Sequence, residues 1–212
     1  MTPAPSNREL PHDVIVCHGF AAERRRRQPW HVAHGLALGL VARGRRVSIV
    51  TDRPATDDPG LPYAVLTVAP LSRHGRPTPA LECRTRELLP DRVYFFTGAF
   101  AMARLRPLAL GAPVDLVVAS PRLRLAELWA VGPAELWRER QLMLLPLVNA
   151  LLPGQLIARG FARSGAVRPI YLSRAGQARY RALGLPAGSL LRPQGEAPAC
   201  LLHPSPLPPP RA

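Results

Sequence analysis

The sequence predicts an α/β fold, a doubly wound parallel sheet forming a single domain, and three observations point there. Short runs of β-branched and apolar residues alternate with stretches of helical periodicity along most of the chain. The runs are apolar at successive positions, which suits strands buried on both faces. The first strand, helix and second strand together have the length of a right-handed parallel crossover. With 212 residues, 47% of them hydrophobic and 20% charged, the chain has the length and apolar content to bury a proper core.

Each element follows from local chemistry. "DVIVC", Asp13 to Cys17, is the first strand, and "HGFAAERRRRQP" is a polar, Arg-rich loop at its carboxyl end. In "WHVAHGLALGLVARG" the residues Ala33, Leu36, Ala37 and Leu40 recur at helical spacing, and Gly44 offers the left-handed stop that helices favour. "RVSIVTD", Arg46 to Asp52, is a second strand and "PYAVLTV" a third. "PDRVYFFTGAFAMARLRP" reads as a helix: Val93, Phe96, Phe100 and Ala103 share a face, with Pro90 near the start and Pro107 at the end, although "VYFF" alone would pass for a strand. "VDLVVAS" is a fourth strand, followed by Ser120-Pro121 as helix cap and first helical residue. From Ala134 to Phe161 the pattern is helical but broken at Pro146 and at Pro153-Gly154. "RPIYLS" returns to a strand, Ser173 caps a short helix that Gly184 ends, and "SLLRP" closes the sheet. Residues 1–12 read as a flexible N-terminus, 13–195 as the domain and 196–212 as a Pro-rich disordered tail.

Charge and cysteine content narrow the partners. The formal charge is +14, and all 28 basic residues are Arg. Such a balance favours anionic partners such as lipid headgroups, phosphates or nucleotide sugars. Arg-only usage beside abundant Ala, Pro, Gly and Leu points to coding bias ahead of a dedicated polyanion site, so nucleic acid is not expected. Cys17, Cys83 and Cys200 have neither disulfide nor zinc spacing, and neither a metal nor an organic cofactor is expected. "MTPAPSNRELPHD" lacks the apolar core of a signal peptide. The run "LMLLPLVNALL" carries Pro146 and Asn149 and falls short of the roughly 20 apolar residues a bilayer span needs. A cytoplasmic protein is expected, with at most peripheral contact at the inner face of the membrane.

Two segments carry a resemblance. "IYLS", "RAGQARYRALGLP", "SLL" and "RPQGE" follow one another as strand, helix, strand and Pro-x-Gly turn, and "WHVAHGLALGLVARGRRVSIVTD" precedes them as helix and strand. In this order and separation they resemble the N-terminal domain of GT-B-fold glycosyltransferases of the family-4-like retaining group, over roughly residues 13 to 196. The resemblance implies a Rossmann-like domain, half of a GT-B architecture. It would be the acceptor-binding half of an enzyme that moves a sugar from a nucleotide-sugar donor to a hydroxyl, lipid-linked or other small-molecule acceptor. The donor would be held by a C-terminal domain outside this sequence, leaving this half weak or inactive alone. A non-catalytic binding or assembly subunit, or a truncated gene product, is the alternative. Three departures stand beside the matches. The family's Gly-Gly loop before the first helix is replaced by "RRRRQPWH", whose arginines can supply the positive charge that backbone amides otherwise provide. The fourth strand ends in Ser120 where the family often has His, and "WAVGPAELW" holds no further strand, leaving the βα pattern one unit short.

The candidate site residues are those expected at the carboxyl rim of the sheet, where open α/β sheets bind ligands. His18, directly after the first strand, reads as an acceptor-binding or proton-handling group, or as a loop histidine bonded to backbone; Gly19 eases the turn. Arg24 to Arg27, and Arg27 in particular, read as a phosphate clamp or as a solvated loop. Gln28, Trp30 and His31 cluster at a helix N-terminus, with Trp30 equally readable as a staple packing loop onto helix. His34 lies one turn from His31, but two histidines without a third ligand make a poor metal site. Ser120 and Ser173 read foremost as helix caps at strand ends facing the same rim. No Ser-His-Asp or Cys-His grouping can be placed by spacing, so nucleophilic hydrolysis is unsupported and no catalytic residue is assigned.

Overall fold

Runs of apolar residues suit strands buried on both faces, and the computed structural model places parallel strands at several of them. It describes residues 10–21, 25, 29–54, 60–119, 150–194 and 199–204. In chain order the elements are β1 (His12–Val16), α1 (Trp30–Val41), β2 (Arg46–Thr51), β3 (Ala64–Thr67), β4 (Ser72–Arg73), β5 (Arg76–Pro77), α2 (Pro79–Glu87), β6 (Arg92–Thr97), α3 (Ala99–Ala103), β7 (Val114–Val118), α4 (Gly154–Ser164), β8 (Arg168–Tyr171), α5 (Arg174–Arg181), β9 (Ser189–Gln194) and β10 (Ala199–Pro204).

The main sheet runs β10-β9-β8-β7-β6-β1-β2-β3, with β4 and β5 forming a separate hairpin. Within the main sheet, every neighbouring pair from β9 across to β3 is parallel. The chain steps outward from β1 to β2 and β3, then returns to lay β6 against the other side of β1. Renumbered by parallel strand, that order is the Rossmann order, and its reversal between β1 and β6 is a topological switch point.

The side-chain alternation of the strands divides the core into two layers. Val14, Val16, Val93, Phe95, Leu116, Val118 and Tyr171 face one way, onto Leu81, Met102, Ile157 and Tyr180 of the helices there. Ile15, Ile49, Tyr94, Phe96, Val117 and Ile170 face the other way, onto Ala33, Leu36, Ala37 and Leu40 of α1. Both faces are covered, so polar residues appear mainly at strand ends.

At the amino rim those polar ends are ion pairs. Asp13 takes Arg45, and Asp115, fully buried, takes both Arg92 and Arg168 at 3.0 Å. His12 sits between the Leu88 carbonyl at 2.7 Å and the Ser48 hydroxyl at 2.9 Å. Burial pushes its pKa down, which favours the neutral ring. A recess of about 760 Å³ opens on this rim beside His12, Tyr63, Arg84 and Leu89.

Two expectations are corrected. The segment expected as one helix over "PDRVYFFTGAFAMARLRP" is the central strand β6 followed by the short helix α3. Tyr94 and Phe96 turn to one layer while Val93 and Phe95 turn to the other, so the pattern has period two with both faces buried. Gly98, extended at φ −104°, breaks the two elements apart. With β6 in place the parallel sheet has seven strands among the described residues. The second correction concerns the C-terminal end. β9 does not close the sheet, because Ala199–Pro204, expected within the disordered tail, pairs antiparallel along its outer edge. An unpaired edge of backbone donors and acceptors is a ready template for one more strand.

Residues 69–89 drew no assignment from the sequence, yet they fold locally. His74 and Gly75 both have positive φ, 52° and 78°, as a two-residue hairpin turn requires. Thr78 caps α2, accepting from the Leu81 amide, with Pro79 at the first helical position.

Candidate functional site

The carboxyl rim beside the switch point is built from three chain turns. After β1 the chain turns at His18-Gly19, with Gly19 at φ 66°. After β2 it reaches Asp52, and after β3 it reaches the β4–β5 hairpin, which starts at Ser72. Since β1, β2 and β3 are parallel neighbours, their three exits open on the same edge.

Asp52 organises the first of these turns. Its Oδ1 accepts from the Gly19 amide at 2.6 Å, and its Oδ2 faces His18 Nδ1 at 3.1 Å. Burial alone would push the Asp52 carboxyl up, but these hydrogen bonds, with the attraction of His18 and a further backbone bond, together hold the group below its usual value. In a neutral ring an ionised Asp52 fixes the tautomer: Nδ1–H donates to the carboxylate, leaving Nε2 as an acceptor. That Nε2 lies 3.3 Å from Ser72 Oγ, whose hydroxyl can donate to it. The result is an Asp–His–Ser chain drawn from residues 34 and 54 positions away from His18. The sequence alone placed no such grouping, and the structure brings one together. Spacing could not reveal it, because each member stands at the exit of a different strand.

The site is open to solvent on one side. The His18 side chain is 48% exposed and that of Asp52 30%. Trp30, the first residue of α1, donates its indole N–H to the His18 carbonyl at 2.7 Å and packs against the α1 core layer. It thus acts as the staple between loop and helix. Thr51 Oγ1 donates to the Phe20 carbonyl at 2.9 Å, and Phe20 is buried, so the loop is tied down on both sides of Gly19. Cys17, the nearest sulfur, is buried and its thiol is pushed up to about 12 by burial and by Asp52, which removes it as a nucleophile at neutral pH.

The other expected residues fall differently. His31 is exposed on α1, whereas His34 turns toward Tyr63 and bonds its hydroxyl, so the two do not converge on one ligand. Ser173 caps α5 by accepting from the Gly176 amide at 3.0 Å. It stands at the exit of β8, three strands from β1, roughly 14 Å away at ordinary strand spacing, and so does not join the cluster. Arg27, Gln28 and Ser120 lie outside the described residues. Among the described residues, no three His, Cys, Asp or Glu side chains gather as a metal site, and no helix is long and apolar enough to cross a membrane.

Asp52 and Ser72 are the residues that sequence reasoning missed. An acidic residue closing the second strand of a β-α-β unit was a usable signal for Asp52, since such a group lands beside the exit of the first strand. Ser72 had no comparable signal.

Fold and site together define a Rossmann-like α/β protein with a polar Asp–His–Ser cluster at the rim of its first three strands. Compared with known protein families, curated proteins and solved structures, the chain finds no match in any of the three.

Proposed function

We propose that the chain is the acceptor-side domain of a GT-B-fold glycosyltransferase of the family-4-like retaining group. In this reading a sugar passes from a nucleotide-sugar donor to a hydroxyl acceptor, free or lipid-linked, with the donor held by a second module on this chain or another. The observation that carries the reading is the His18–Asp52 pair beside the switch point of a Rossmann-ordered sheet. An imidazole oriented by a carboxylate is suited to gripping an acceptor hydroxyl and handling its proton. The His18 side chain is 48% exposed, and an acceptor hydroxyl reaching Nε2 would take the place of the Ser72 hydroxyl there. The two segments that resemble the family contribute elements of the same sheet: β2, which delivers Asp52, and β8 and β9.

The test is titration of the full chain with a panel of hydroxyl acceptors, simple sugars and a polyprenyl phosphate, followed by NMR at the histidine ring resonances. UDP- and GDP-sugars are then added and transfer is measured with labelled sugar. Saturable acceptor binding that perturbs His18, with slow transfer lost in His18→Ala, supports the reading. Absence of binding across the panel, or binding and transfer indifferent to His18→Ala, overturns it.

A further inference from the structure

Ser72 has the surroundings of an activated nucleophile. Its Oγ is 3.3 Å from His18 Nε2, and the opposite nitrogen of that ring is 3.1 Å from Asp52 Oδ2. The order of groups is that of a serine nucleophile, its general base and the carboxylate that orients the base, a constellation recognised by geometry and roles. The backbone bearing the serine is pinned from several sides. Ser72 pairs with Pro77 across a two-residue turn, and the Thr78 amide donates to the Leu71 carbonyl at 3.1 Å. The Thr78 hydroxyl donates to the Pro70 carbonyl at 2.6 Å, and Leu71 is fully buried. The turn itself is clamped: the Arg106 amide donates to the Gly75 carbonyl at 2.8 Å, and a Cβ added at Gly75 would sit 1.9 Å from the Arg104 carbonyl oxygen. A hydroxyl held this firmly against an oriented imidazole has little reorganisation left before attack.

We infer that Ser72 is a nucleophile activated by the His18–Asp52 pair, and that the chain reacts through it with activated esters of carboxylic and phosphonic acids. With a carboxylic ester, Ser72 Oγ forms a bond to the carbonyl carbon while its proton passes to His18 Nε2. The bond from carbon to the leaving oxygen breaks, and the departing alcohol takes the proton back from Nε2, leaving an acyl-serine. Water then attacks the acyl carbon, gives its proton to Nε2, and releases the acid as Ser72 recovers its hydrogen. The inference does not rest on the sugar-transfer reading, which gives Ser72 no role.

A fluorophosphonate probe tests it on the full chain. Oγ forms a bond to phosphorus, the phosphorus–fluorine bond breaks, the proton moves to His18 Nε2 and fluoride leaves. Peptide mass spectrometry should find the adduct on Ser72, absent in Ser72→Ala. General-base assistance is worth about 100-fold or more, so the labelling rate should fall by at least that factor in His18→Ala and substantially in Asp52→Asn. Circular dichroism of each variant separates loss of reactivity from loss of fold, and p-nitrophenyl acetate should show a burst with native chain only. An unlabelled Ser72 in folded native chain, or labelling at the same rate in folded His18→Ala, overturns the inference. Labelling is read at Ser72 and acceptor binding at the histidine ring resonances, so this inference and the sugar-transfer reading fail separately.

Discussion

His18 and Asp52 meet at 3.1 Å across the exits of two adjacent parallel strands, and the second oxygen of the same carboxylate holds the Gly19 amide at 2.6 Å. One side chain thereby sets both the ring and the backbone of the loop after β1. Because hydrogen bonding favours the charged form of Asp52, its pKa in the folded chain lies below the unfolded value. The stability it contributes is therefore fully present above the ordinary carboxylate pKa of about 3.9 and is lost as pH falls through the lower, folded value. Asp52→Asn should lower stability at pH 7 by about 1 kcal/mol, the worth of a charge-assisted hydrogen bond reduced for partial exposure. Urea unfolding at pH 7 and at progressively lower pH checks this. The gap between native chain and variant should narrow once pH drops below about 4. A gap of constant width down to pH 2 would sink the assignment.

Helices α3 and α4 touch where a side chain is not tolerated. A Cβ on Gly160 would lie 1.9 Å from the Met102 carbonyl oxygen and 2.8 Å from its carbon, both backbone atoms that cannot swing aside. Gly160→Ala should force the helices apart at a cost of about 3 kcal/mol, the upper part of the overpacking range. Gly44, at φ 72° with nothing within 4 Å of its added Cβ, is constrained only by its backbone conformation. Gly44→Ala should cost about 1–2 kcal/mol for that left-handed turn. Thermal or urea unfolding ranks the two variants, and Gly44→Ala proving the more damaging would contradict the packing described here.

Asp115 is the test of the amino rim. It is fully buried between Arg92 and Arg168, which are themselves 34% and 23% exposed. Removing one arginine leaves the other, but removing both strands a carboxylate out of water. Arg92→Met with Arg168→Met should cost about 3–5 kcal/mol, well beyond the sum of the single changes. Adding Asp115→Asn to that pair should then recover stability, since the stranded charge is gone. If the triple variant unfolds more readily than the double, Asp115 owes its place to something other than these two ion pairs.

Much of the parallel sheet was readable along the chain because its evidence is local. Val14 to Val16, Ile49 to Val50 and Leu116 to Val118 are consecutive apolar residues, a pattern that suits a strand buried on both faces. Gly44 and Ser173 announced helix ends because a left-handed stop and a side-chain cap are chemistry of neighbouring residues. The run Val93 to Thr97 misled for the same reason. Its apolar spacing satisfies a helical face as well as a strand, and the choice rests on β1 and β7 standing on either side. His18 could be placed at the rim from its position after a strand, but the partner on each ring nitrogen could not.

Composition and periodicity along the chain are enough to say that strands alternate with helices, that both faces of the sheet are covered and that the carboxyl rim begins at His18. Those properties depend on residues a few positions apart, whose spacing the covalent chain itself imposes. Which strand lies beside which, and so which rim side chains meet, depends on how distant segments bury their apolar surface against one another. Asp52, His18 and Ser72 became a unit only once β1, β2 and β3 were laid side by side, because hydrogen bonds of about 3 Å are set by packing and not by separation along the chain.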